Sequence, residues 1–138
     1  MKRAFLFAMM FLFISTGCAV KEEVKLSEES VTARNAISAV DAIKDAFIKK
    51  DRDAIHEKVE SALSDEILNG LTFDSVDLSY TVRMIKISAL KVMVHLNWHG
   101  TWMSGGNEAR DRGVAILVFN KDTMKLNQVD GDNPFSAR

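Results

Sequence analysis

The hydrophobic period of this chain changes at Asn69-Gly70, from a helical repeat to near-alternation. From Val31 to Lys49 apolar side chains recur at Ala33, Ala36, Ile37, Val40, Ile43, Ala46 and Phe47, while Asp41, Lys44, Asp45 and Lys49 take the other side. That spacing predicts one amphipathic helix of about five turns, which must lie on something. Ser27 and Ser30 both suit its N-cap, with Glu28 and Glu29 near its positive end. Asp51 or Asp53 is placed to cap a second helix through Ala54, Ile55, Val59, Ala62 and Leu63. Ser64 is placed to cap a short third one that stops at Asn69-Gly70. Beyond that pair Val, Ile, Thr, Tyr and Trp gather in segments that predict strands at 74–87, 90–103, 109–120 and 123–130. Ser104-Gly105-Gly106-Asn107 reads as a hairpin loop and Lys121-Asp122 as another short connection. Around Ser88-Ala89 a turn, a bulge and a bend in one long strand all stay open.

Helices first and hairpin-linked strands after them is an α+β pattern, with N-terminal helices packed on a curved antiparallel meander of about four strands. Over residues 30–135 this order resembles the nuclear transport factor two-like superfamily, which includes ketosteroid isomerase and SnoaL-like proteins. The resemblance is carried by the long helix, the Lys49-Lys50-Asp51 break, the short helix opening with Ala54-Ile55, the helix near Ser64-Asp65-Glu66, and the meander. It implies a cone-like fold. With no strand visible between the helices, a smaller cystatin-like arrangement is the alternative.

The amino terminus concerns address rather than fold. Lys2 and Arg3 precede an apolar run from Ala4 to Ile14, and Ser15, Thr16 and Gly17 lead to Cys18. Eleven apolar residues fall short of the roughly 20 that span a bilayer, so the segment reads as a removable export signal. Cys18 is the sole cysteine, which excludes an internal disulfide framework. Ile14-Ser15-Thr16-Gly17-Cys18 resembles the lipobox of bacterial lipoproteins. That resemblance implies a diacylglycerol on the sulfur, cleavage ahead of Cys18 and acylation of the new amino group. Ala19, in place of Asp, then implies the periplasmic face of the outer membrane in a Gram-negative source. Ordinary cleavage after Gly17 or Ala19 is the alternative. The chain is thus divided into a signal peptide (1–17), a polar lipid-anchored tether (18–29) and a single α+β domain (30–138). Loss of the signal leaves 121 residues, enough for one core. Of 18 basic residues, Lys2 and Arg3 go with it, leaving 16 against 19 acidic ones and a net charge of −3. That balance argues against a nucleic-acid partner.

No residue pattern demands a metal or a cofactor. His95 and His99 have the spacing of a helical zinc pair, but in strand-like sequence they stand on one face roughly 13 Å apart, too far to share an ion. His56 reads as a surface residue. Tyr80, His95, Trp98 and Trp102 form the candidate pocket or partner surface, although tryptophans beside a hairpin also close the end of a small core. Val114–Phe119 is apolar on both faces, so the second face of the sheet is expected to be covered by a homodimer or an envelope protein partner. Enzymes of the resembled superfamily project carboxylates and tyrosines into the cone. Here Asp77, Tyr80, Arg83, Arg110, Asp111 and Arg112 are comparable, but alternation separates Arg110 and Arg112 from Asp111 and suits ion pairing on the sheet. Gly131-Asp132-Asn133-Pro134-Phe135 reads as a strand stop followed by an aromatic plug. The functional expectation is a lipid-anchored, non-enzymatic envelope domain that binds a protein partner or a small apolar ligand. The alternative is an isomerase or dehydratase that uses the cone interior.

Overall fold

The computed structural model describes residues 26–136. The export signal, Cys18 and the tether as far as residue 25 lie outside the described residues. Within them the chain forms α1 (Glu28–Lys49), α2 (Arg52–Lys58), α3 (Ser61–Asn69), β1 (Ser75–Ile87), β2 (Lys91–Ser104), β3 (Asn107–Asn120) and β4 (Leu126–Gly131). The fold is α+β, three helices followed by one antiparallel sheet in the order β1-β2-β3-β4.

Ser27 is the N-cap of α1, its side-chain oxygen accepting from the Ser30 amide at 3.2 Å. The helix therefore starts earlier than its apolar repeat, and Glu28 and Glu29 belong to the first turn rather than to the tether. It ends at Lys50, which adopts the left-handed conformation (φ 55°) unusual for a side-chain-bearing residue. Lys50 is held there from both ends. Its amide donates to the Phe47 carbonyl, and its ammonium donates to the Phe73 carbonyl while lying 4.9 Å from the Phe73 ring centre.

Asp51 caps α2, accepting from the Ala54 amide at 3.0 Å. The second helix is shorter than its apolar residues suggest, because Val59 leaves the helix to make a lone parallel bridge with Leu126 and the Glu60 amide donates to the Leu126 carbonyl. Ala62 and Leu63 consequently belong to α3. Ser64 caps nothing: it is buried inside α3, 2.9 Å from Nδ1 of the surface residue His56.

β2 and β3 pair in unbroken register from Lys91↔Asn120 to Ser104↔Asn107, and β1 pairs with β2 from Ser75↔Met103 to Ile87↔Val92 with one shift at Val82/Met84. Ser88 resolves the open turn. Its amide and hydroxyl both donate to the Lys91 carbonyl and its oxygen accepts from the Lys91 amide, closing a tight hairpin with Ala89 and Leu90 at the apex. At the other end Gly105 and Gly106 both have positive φ, as a two-residue hairpin between paired Ser104 and Asn107 requires. The register also shifts at Val118/Phe119, in the β3–β4 pair. One face of the sheet and the inner stripe of α1 then make a single core. Val76, Leu78, Val92, Val94, Leu96 and Leu117 meet Ala36, Val40, Ile43 and Phe47, all buried.

Candidate functional site

Strand alternation divides the residues singled out from sequence between two faces. Tyr80 and Trp98 are direct cross-strand partners and face the helices. Trp102 follows on the same face, edge-on to Trp98 with ring centres 6.0 Å apart, and both indoles are almost fully buried. The two tryptophans are core residues and form no exposed lip. His95 pairs with Met84 and Ile116 on the opposite, outer face, together with His99 and Asp77. Tyr80, Asp77 and His95 therefore do not converge.

Tyr80 instead meets α1. Its hydroxyl donates to Asp41 at 2.6 Å, Lys44 lies 3.6 Å from the same carboxylate, and the Lys44 ammonium stands 5.3 Å from the Tyr80 ring centre. Burial first, then the hydrogen bond to Asp41 and the negative charges of Asp41 and Asp45, push the Tyr80 hydroxyl pKa well above its ordinary value. A phenol that holds its proton this tightly is a weak acid and stays protonated near neutral pH. Sequence reasoning missed Asp41 and Lys44, since only the packing of α1 over β1 brings position 41 to position 80.

Behind this cluster the cone is filled. The void that remains, among Val40, Leu78, Leu96, Leu117 and Phe135, is about 10 Å³, scarcely the space of one water, and its walls are apolar. The carboxy-terminal segment does the filling. The Trp98 indole donates to the Asp132 carbonyl at 2.7 Å, Pro134 and Phe135 are buried, and the Phe135 ring meets Phe47 edge-on at 5.4 Å. Gly113 lets the segment pass, because a Cβ there would stand 2.4 Å from Asp132 Cβ. The aromatic plug expected from Gly131–Phe135 is thus seated in the core.

The outer face is different. Met84, Met93, His95, Val114, Ile116 and Val118 share it at the middle of β1, β2 and β3. Met84 is 45 % and Val114 57 % exposed, and His95 Nε2 is buried without a hydrogen-bond partner. Toward the glycine hairpin the face turns polar, with Asp77, Thr101 and Arg110 in one cross-strand row and His99 beside Arg112 in the next. Arg110 pairs with Glu108 on its own strand rather than across the sheet. Among the described residues no group of three or more His, Cys, Asp or Glu side chains is placed to hold a metal ion.

No family model matches the chain, and no curated protein matches it. Two solved structures are similar. One is a nuclear transport factor 2 (NTF2-like) superfamily protein from Salmonella enterica serovar Typhimurium, 12 % identical, matched over 77 % of this chain and 93 % of that one with a TM-score of 0.64. The other, TsrD from Streptomyces laurentii, is 14 % identical over 77 % and 92 % of the two chains, with a TM-score of 0.46. The fold is accordingly of the NTF2-like kind, and the resemblance extends to the fold alone.

Proposed function

We propose that this chain is an exported, lipid-anchored domain of the cell envelope that acts by holding a protein partner on the open face of its sheet. The observation that carries this reading is the contrast between the two faces: the cone interior retains about 10 Å³, whereas the outer face displays Met84 and Val114. A small-ligand site or an isomerase centre needs an enclosed volume some thirtyfold larger or more, on the order of 300 Å³, and a group able to accept a proton. The filled cone does not supply that volume. The anchor rests on Ile14–Cys18, the sole cysteine and the export signal ahead of it.

The occupant is a second copy of this chain. In the row Asp77–Thr101–Arg110, opposite charges flank β2. A two-fold axis running along β2 between stacked sheets sets each Asp77 against Arg110 of the other copy, and each Met84 against Ile116. Native mass spectrometry on the mature protein tests both parts. The expected species is a dimer whose subunits each carry acyl chains on Cys18, and Val114→Arg, at a site open to solvent, returns it to a monomer. A wild-type monomer would give the sheet face to another envelope protein. A Cys18 free of acyl mass, the same as in a Cys18→Ala comparison, would end the anchor reading.

A further inference from the structure

We infer that the domain does not hang freely from its lipid but rests on the bilayer through the apex of the β1–β2 hairpin, with Leu90 entering the headgroup layer. This rests on the anchor proposed above. Four observations place the surface. Leu90 is the most exposed large apolar residue described, at 72 %, and it occupies the tip of a hairpin closed by Ser88 and Lys91. The tether joins the fold at that same pole: Glu28, the first residue of α1, reaches Lys121, whose amide donates to the Leu90 carbonyl. An open groove of about 300 Å³, lined by Glu28, Glu29, Thr32, Ile87, Ser88 and Lys121, separates the start of α1 from the hairpin. Leu26, next to the Ser27 cap of that helix, is 49 % exposed, and Lys91 and Lys121 flank the apex.

The length of chain leading to this pole limits where it can go. Eight residues, Cys18 to Lys25, precede Leu26. Fully extended they span at most about 29 Å at roughly 3.6 Å each. One leucine and two ammonium groups would bind a membrane too weakly to matter for a free protein. On a leash this short the second contact is intramolecular, and the local concentration of bilayer makes a weak contact persistent. Leucine suits the acyl boundary, while lysines beside it keep their charges at the level of lipid phosphates. The strands then stand away from the bilayer, and the Gly105-Gly106 hairpin becomes the distal pole.

The test uses the mature lipidated protein in vesicles of phosphatidylethanolamine and phosphatidylglycerol. Acylation consumes the Cys18 thiol, so Leu90→Cys and, separately, Asn107→Cys each provide a single site for an environment-sensitive fluorophore. Both positions are exposed, so the label leaves packing intact. The expected result is a blue-shifted emission at position 90 and several-fold stronger quenching there by lipid-borne nitroxide than at position 107. Equal quenching at the two positions on a protein shown by mass to be acylated overturns the docking and leaves the anchor standing. An unacylated mass, with both variants labelled at Cys18 as well and neither floating with vesicles, overturns the anchor and this inference together.

Discussion

Two residues carry more of this fold than their chemistry suggests. Gly100 lies opposite Leu78 and Asp111 in the sheet, and the Trp102 indole lies over it: a Cβ at position 100 would stand 2.4 Å from the ring. Trp102 is buried among its neighbours and cannot swing away cheaply. Gly100→Ala is therefore expected to cost about 1–3 kcal/mol through overpacking, read as a fall in the urea midpoint at unchanged slope. Tyr80 makes a pH-dependent contribution. Its hydroxyl keeps its proton in the folded state to higher pH than in the unfolded chain, where an ordinary tyrosine titrates near 10. Unfolded chains therefore release the proton first. The stabilisation is complete below about pH 10 and is lost as pH rises from there toward the folded-state pKa. Tyr80→Phe removes the bond to Asp41 at a cost of about 0.5–1 kcal/mol at neutral pH, the pair being largely open to solvent. Urea midpoints of wild type and variant should converge as pH climbs past 10; a constant gap between them would refute the coupling.

At the scale of elements, short helices depend on their caps. α2 has seven residues and buries only Ile55, so little packing holds it apart from the Asp51 bond to the Ala54 amide. Asp51→Ala should cost about 1 kcal/mol, and amide exchange should accelerate within α2 while α1 keeps its protection. The element order and all four strands were legible because periods of 3.6 and 2 are written in which residues are apolar. What the pattern concealed depended on distant partners. Val59 has the spacing of a helical residue, yet its bridge to Leu126 ends α2, and Ser64 looks like a cap only until the helix is seen to begin at Ser61. Ser88 declares the hairpin at Ala89-Leu90 through its own hydroxyl, without the glycine that usually signals such a turn. The candidate site was half legible. The two-sided apolar run Val114–Phe119 gave away the outer face, whereas nothing local relates Asp41 to Tyr80 or shows that Trp98 spends its indole on the Asp132 carbonyl.

For the whole molecule, the proposed anchor and the proposed interface constrain one another. A two-fold axis along β2 keeps both copies pointing the same way, so both α1 starts and both Leu90 apices sit at one pole and two lipids can enter one bilayer. An axis across the strands would send the anchors to opposite ends. The filled cone packs against the inner face of the sheet. Phe135 is the keystone, 2 % exposed and packed against Phe47, which in turn meets Phe73 at 5.1 Å. Phe135→Ala should cost about 3–5 kcal/mol, a large share of the stability of a domain this size. The space vacated would join the existing apolar void and stay dry, and such a cavity takes up small aromatic molecules. Benzene is accordingly expected to raise the melting temperature of Phe135→Ala and to leave the wild type unchanged. Stabilisation of the wild type by benzene would mean that its cone is already open, which would restore the interior as a ligand site and remove the reason for assigning function to the outer face.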